Sequence, residues 1–289
     1  MRTKLDEFNQ KIIGCGKCPR LVRWREACAK NPPRRFQNMV YWAKPLAGFG
    51  DPHARVLIVG LAPAAHGGNR TGRMFTGDRS GDWLYGALHA FGFANQPNSE
   101  HPRDGLKLKD CYITAAVRCA PPGNKPSRAE FERCRPYLVR ELKLMKRVQV
   151  VVALGKIAFD SFLKAYQENG GTVPKPRPQF GHAVSVVLPD GLRLICSYHP
   201  SQQNTFTGKL TQPIRRPVLG HQPRVGETRA GPVGRERGHS VSTGDDPRRV
   251  ARRGVDRRRP VCRQDPAAGD CDFFRYRHRR RLSGANSVC

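Results

Sequence analysis

Apolar and polar positions along the chain follow two grammars, and the change falls near Pro213. Before it, short apolar runs take turns with segments whose apolar residues recur every three or four positions, the pattern of an α/β domain. Leu5, Phe8, Ile12 and Ile13 mark one face of a helix over 3–13, with Thr3 and Asp6 in its first turn and Gly14 to end it. The runs 55–60, 111–117 and 148–154 predict buried strands, the last continuous enough for the middle of a sheet. Each strand has an amphipathic partner downstream. Trp83, Leu84, Ala87, Leu88 and Phe91 form the first stripe, with Asp82 in the opening turn. Phe131, Cys134, Leu138, Leu142 and Met145 form the second, behind a capping box of Ser127 and Glu130, and 157–166 forms the third. Two extended runs, 184–188 and 192–198, flank the turn Pro189-Asp190-Gly191, so a hairpin delivers the chain to His199.

The segment 214–289 has no sustained period. It holds 19 Arg, no Lys and 8 acids among scattered Gly and Pro. It cannot bury a core, and a disordered tail is expected. One reading is a binding tail that folds on nucleic acid, but the repeated motifs of such tails are missing; so abrupt a switch to an Arg-rich, Lys-free composition is better expected of a GC-rich gene read out of frame, or of a natural frame-shifted end. The expected organisation is one ordered α/β domain over 1–213 and this tail over 214–289.

Charge changes the picture next. The whole chain carries +29 and the tail +11 (19 minus 8), which leaves +18 on residues 1–213. The ordered part is therefore basic in its own right, and a polyanion, most economically nucleic acid, is the expected partner. The N-terminus has no apolar segment of signal-peptide type and the longest apolar runs, such as 148–154, are far too short to span a bilayer, so a soluble cytoplasmic protein is expected. A monomer associated with the nucleoid is the accompanying expectation.

Several strand ends run into polar motifs, which is where open α/β sheets hold their ligands. The loop after the first strand spans 60–81 and contains six glycines, which let a ligand come close to backbone. Arg70, Arg73 and Arg79 can meet phosphates there, and Phe75 offers a ring face to a base. The bland alternative is a connector whose Asp78 only caps the next helix. The hairpin ends in His199-Pro200-Ser201-Gln202-Gln203-Asn204, where proline fixes the turn and holds His199 at the strand end. Cys15 and Cys18, joined by Cys119 and Cys134, are two thiol pairs that suit either a [4Fe-4S] cluster or a tetrahedral zinc, and spacing alone leaves both open. Cys28, Cys111 and Cys196 have no such partners and are expected to be buried and inert.

Four stretches in order resemble family 5, or type B, uracil-DNA glycosylases: 60–64 (GLAPA), 69–78 (NRTGRMFTGD), 117–124 (VRCAPPGN) and 199–204 (HPSQQN). The resemblance implies a three-layer α/β/α sandwich around a short, mainly parallel sheet, with a [4Fe-4S] cluster on Cys15, Cys18, Cys119 and Cys134. It also implies excision of uracil from single- or double-stranded DNA, with hypoxanthine or ethenocytosine accepted too. The sister family 4 carries Glu where this chain has Leu61 and Asn where it has Ala115, so the base is expected to be read less strictly. Asp78, His199 and Asn124 become the expected catalytic groups. Gly60, Ala62, Ala64, Phe75, Ser201, Gln202, Gln203 and Asn204 become the expected substrate contacts. With no Lys nucleophile in these motifs, a hydrolytic enzyme without strand cleavage is expected. The competing reading is a non-catalytic iron-sulfur or zinc protein that binds nucleic acid.

Overall fold

The structure, a computed structural model, describes residues 3–201 together with Asn204 and Leu210; the expectation for the tail, and those for Gln202 and Gln203, lie outside the described residues. Helix α1 (Lys4–Ile13) starts at Thr3, which forms a capping box with Asp6, and buries Leu5 and Ile12. Helix α2 (Pro19–Lys30) follows after a short link. Strand β1 (Phe49–Gly50) precedes β2 (Val56–Gly60), the short helix α3 (Gly68–Thr71), α4 (Arg79–Ala90) and β3 (Cys111–Ala115). Then come α5 (Arg128–Leu144), β4 (Val150–Leu154), α6 (Lys156–Glu168) and the pair β5 (Ser185–Val187) and β6 (Arg193–Ser197).

The strands form one six-stranded sheet in the order β1-β3-β2-β4-β6-β5. Its four inner strands are parallel and the two edges antiparallel, the β5–β6 edge being the predicted hairpin. Because side chains alternate across a strand, each inner strand feeds two cores. On one face Ile58, Ile113 and Val152 pack against Leu84, Tyr85 and Leu88 of α4. On the other Val59, Tyr112 and Val151 pack against Leu138 of α5 and Phe159 and Phe162 of α6, with Leu5 of α1. Helices thus cover both faces, and the result is the expected three-layer sandwich. Each of these side chains contributes roughly 1.5–3 kcal/mol by leaving water.

The chain leaves β2 for β3 on one side, whereas β4 leads to β6 on the other. The crevice between the carboxyl ends of β2 and β4 is therefore a topological switch point, where open α/β sheets accept ligands. Three elements lie outside the predicted pattern. Helix α2 buries Leu21, Arg25 and Cys28, and the buried arginine breaks its apolar stripe. Strand β1 has two residues, and α3 is a single turn inside the Gly-rich loop. No described helix is long and apolar enough to cross a membrane.

Candidate active site

The loop that leaves β2 is shaped by close contacts that only glycine permits. Gly60 lies under the ring of Phe75, where a Cβ would stand 3.0 Å from the ring edge. A Cβ on Gly67 would overlap Asp78 Oδ2, and one on Gly81 would overlap the Phe75 carbonyl oxygen. Phe75 itself adopts φ 53°, left-handed backbone that is strained for an aromatic residue and is kept where surrounding contacts over-determine it. The loop is thus folded back so that Phe75 covers the end of β2 and Asp78 faces Gly67.

Asp78 caps α4, its Oδ1 accepting from Gly81 N at 3.0 Å. Burial pushes its carboxyl above the ordinary value, against the lowering effect of the Gly81 and Ser80 N–H groups and the charge of Arg70. The capping role expected of Asp78 in the bland alternative is therefore present, but the carboxylate is also half-buried and lines a cleft with Ala64, His66, Gly67 and Asn124. Asn124 ends a tight turn over Pro122–Asn124 with φ 55° and is exposed at the cleft rim.

His199 follows β6 and lies beside Gly155, which follows β4, with His199 Cβ at 3.7 Å from the position of a Cβ there. Its ring stands 5.9 Å from that of Phe75, tilted by 31°. The Phe75–His199 pair therefore bridges the switch point. Burial pushes the His199 imidazole down to about 4, so the ring is neutral at neutral pH. Its carbonyl accepts from Ser201 N at 2.7 Å and Asn204 Nδ2 at 2.8 Å, so Ser201 and Asn204 hold the turn that presents the ring.

Two arginines expected at phosphates are committed elsewhere. Arg73 is buried and forms a two-pronged pair with Asp104 at 2.9 and 2.6 Å, as well as bonds to Thr76 and Ser99. Burial works against the charged form of Asp104, yet Arg73 and the N–H groups of Leu106 and His101 outweigh it and hold its carboxyl well below the usual range. Arg70 donates to the carbonyls of His66 and Gly77, which fastens the loop across its own neck. The pattern reading passed over His66, whose Nδ1 stands 3.0 Å from Tyr41 Oη; burial, and then Arg35 and Arg70, lower its pKa.

Behind this face lies the thiol group. Cys18, Cys119 and Cys134 pack in one buried cluster with Leu21 and Val117, and Ala62 rests against it. Cys15 joins them in lining one narrow cavity. Burial pushes Cys119 up to about 11 and Cys134 up to about 12. Arg25 Nη1 donates to Cys119 Sγ at 3.1 Å and Arg118 N to Cys134 Sγ at 3.4 Å. The Nε of Arg25 and the Nε and Nη1 of Arg118 are buried with no hydrogen-bond partner. Among the described residues no group of three His, Cys, Asp or Glu side chains is drawn together as a single metal ion would require. Cys28, Cys111 and Cys196 are buried free thiols, as expected.

A mainly parallel sheet covered by helices on both faces, with a strained aromatic residue, a half-buried carboxylate and a neutral imidazole on its strand-end loops, places the chain among open α/β proteins, which hold ligands at such ends. The chain belongs to the uracil DNA glycosylase superfamily, whose profile matches residues 47–219. A type-5 uracil-DNA glycosylase of Mycobacterium tuberculosis is 51% identical over 206 residues, 71% of this chain and 75% of the relative. One from Thermus thermophilus is 46% identical over 220 residues, 76% of this chain and 97% of the relative. A type-4 uracil-DNA glycosylase of Pyrobaculum aerophilum is 31% identical over 161 residues, 55% of this chain and 65% of the relative. The match is stronger and longer with the type-5 relatives, in keeping with the four motifs.

Proposed function

We propose that the chain excises uracil from DNA by hydrolysis of the N-glycosidic bond and so begins base excision repair. The observation that carries this reading is the presence of a half-buried carboxylate, Asp78, and a strained aromatic ring, Phe75, on the loop after β2, with a neutral imidazole, His199, tilted against that ring from the end of β6. No observation favours a protein that only binds nucleic acid.

The chemistry follows from the bond. A stacked base must first leave the duplex, at a few kcal/mol, and stacking on Phe75 returns energy of that order. Gly60, Ala62 and Ala64 keep the strand end free of side-chain bulk there. As the bond to the sugar stretches, positive charge grows on the sugar and negative charge on the departing base. Asp78 faces the sugar, stabilises that charge and accepts a proton from the attacking water; its raised pKa makes it the stronger base. His199, a neutral imidazole, donates a hydrogen bond from its one ring N–H to the base oxygen. Asn124 positions the water or the base from the far rim. Ser201 takes a phosphate, and Gln202, Gln203 and Asn204 probe the groove. Hypoxanthine and ethenocytosine are further candidate substrates.

Cys15, Cys18, Cys119 and Cys134 would hold a [4Fe-4S] cluster. The fit rests on four thiols at one cavity under Arg25, Arg118 and Arg133, whose positive charge offsets that of four thiolates around iron and sulfide. A bound cluster would tie the α1–α2 link, the segment after β3 and α5 together. The protein is proposed to act as a monomer in the cytoplasm.

The test is incubation with uracil-containing duplex, then alkali to reveal abasic sites. Wild type should produce them, and Asp78→Asn and His199→Ala should each lose about a hundredfold or more in rate. Variants as fast as wild type would remove these residues from the mechanism, and no sites from a folded wild type would remove the activity.

A further inference from the structure

His66 lines the Asp78 cleft and takes no part in the chemistry of Asp78, His199 and Asn124. Three contacts fix it. Its Nδ1 stands 3.0 Å from Tyr41 Oη, Phe36 stacks on its ring with centres 6.2 Å apart and 30° between the planes, and its carbonyl accepts from Arg70 Nε at 2.8 Å. The direction of the Tyr41–His66 bond follows from burial. Tyr41 is buried, and this is the one hydrogen bond its hydroxyl makes among the described residues. Burial raises its pKa, so the phenol keeps its hydrogen, and a buried hydroxyl hydrogen needs an acceptor. Nδ1 is that acceptor. Burial, and then the charges of Arg35 and Arg70, lower the pKa of the imidazole, so the ring is neutral and carries its single hydrogen on Nε2. That Nε2 bonds no described group and is not sealed from solvent.

An oriented N–H on a cleft wall calls for an acceptor, and the charge around it says which kind. The charges acting on His66 are those of Arg35 and Arg70, which line the same cleft. The carboxylates of the cleft act on one another instead. Burial raises both Asp78 and Asp82, with Asp82 adding to the rise at Asp78 and Glu100 to that at Asp82. One end of the cleft is therefore cationic and the other acidic. A neutral carbonyl of a base gains little from two guanidinium groups, whereas a phosphodiester gains from both and from the N–H besides. Gly67, the next residue, packs so closely on Asp78 that a Cβ there would overlap Oδ2. His66 thus stands one residue from the contact with the carboxylate that faces the sugar, and the phosphates on either side of that sugar are the nearest anions of the substrate.

We propose that His66 is a phosphate-binding residue, whose Nε2–H, directed by Tyr41, donates to a phosphodiester oxygen next to the flipped nucleotide at the cationic end of the cleft. The proposal rests on the reading of the chain as a DNA glycosylase. Such a contact sets the register of the strand against Asp78 without reading its sequence.

The probe is DNA with a non-cleavable 2′-fluoro-deoxyuridine in which one flanking phosphate at a time is replaced by an uncharged methylphosphonate. For wild type, one of the two replacements should weaken binding about tenfold or more, as loss of a hydrogen bond to a charged group does. His66→Ala should lose as much on unmodified DNA and nothing further on that modified strand. His66→Gln, whose amide N–H stands in for Nε2–H, should recover most of the affinity, which separates a lost contact from a folding defect. Nitrogen NMR shifts of the free wild type should put the imidazole hydrogen on Nε2, and Tyr41→Phe should spread it over both ring nitrogens. Losses that multiply when His66→Ala meets either methylphosphonate would overturn the phosphate contact, as would a hydrogen on Nδ1 in the wild type; neither touches the activity if uracil is still cut. A wild type that cuts no uracil from ordinary DNA but shows the coupled losses would overturn the activity and uphold the phosphate site.

Discussion

Asp78 sits where folding and catalysis make opposite demands. Its raised pKa means that the folded protein prefers the protonated form more than the unfolded chain does. The favourable contribution is therefore present below the ordinary carboxylate value of about 4 and is lost as pH rises through the folded value. Asn keeps the hydrogen bond to Gly81 N and carries no charge. Asp78→Asn should accordingly melt close to wild type near pH 4 and a few degrees above it at pH 7, while losing activity. Melting curves across that range decide it; a variant less stable than wild type at pH 7 would show that the charged carboxylate stabilises the fold. Gly67→Ala is the companion change, because its Cβ would displace the same carboxylate without removing it, and it should also lose activity. The place of Asp78 ahead of a helix made its capping role legible, and the resemblance of 69–78 to the family made it a catalytic candidate; its burial was not legible, because it depends on Gly67 folding back from eleven residues upstream (78 minus 67). His66 was illegible for a similar reason: its partner Tyr41 comes from a segment with no periodic pattern.

At the scale of elements, the thiols are carried by three separate pieces of chain: the α1–α2 link, the segment after β3, and α5. The buried Arg118–Glu141 pair, with Thr114 Oγ1 donating to Glu141 Oε2 at 2.7 Å, joins β3 to α5 next to Cys119 and Cys134. Removing one member of such a pair leaves a bare buried charge and costs about 3–5 kcal/mol. If a [4Fe-4S] cluster bridges these pieces, purified protein should be brown. Replacing Cys15, Cys18, Cys119 or Cys134 by Ser should bleach it, whereas Ala at Cys28, Cys111 or Cys196 should leave the colour. A colourless protein with stoichiometric zinc would replace iron with zinc, and bleaching by Cys28→Ala would redraw the ligand set. Strands and capped helices were legible because continuous apolar runs and the Ser127 and Glu130 box are local signals. Helix α2 was not, since Arg25 points its charge into the interior and pairs with Cys119 across 94 positions.

For the whole molecule, charge and boundary meet in one question. Residues 1–213 carry +18 by themselves and 214–289 add +11. The superfamily match runs to residue 219, a little beyond the composition break. We propose that excision belongs to the part that ends there and that the Arg-rich remainder contributes only electrostatic attraction. A chain that stops at residue 219 should then cut uracil at saturating DNA with the same kcat as the full chain. Its apparent affinity at low salt should be weaker and should fall less steeply as salt rises, because fewer counterions are displaced on binding. The two chains should converge at high salt, where long-range attraction between exposed charges is screened. Matched titrations of rate against DNA at several salt concentrations separate the two contributions. A drop in kcat on truncation would place part of the catalytic unit beyond residue 219. Identical salt slopes would mean that the added arginines do not meet the phosphates, leaving the +18 of residues 1–213 to account for the attraction.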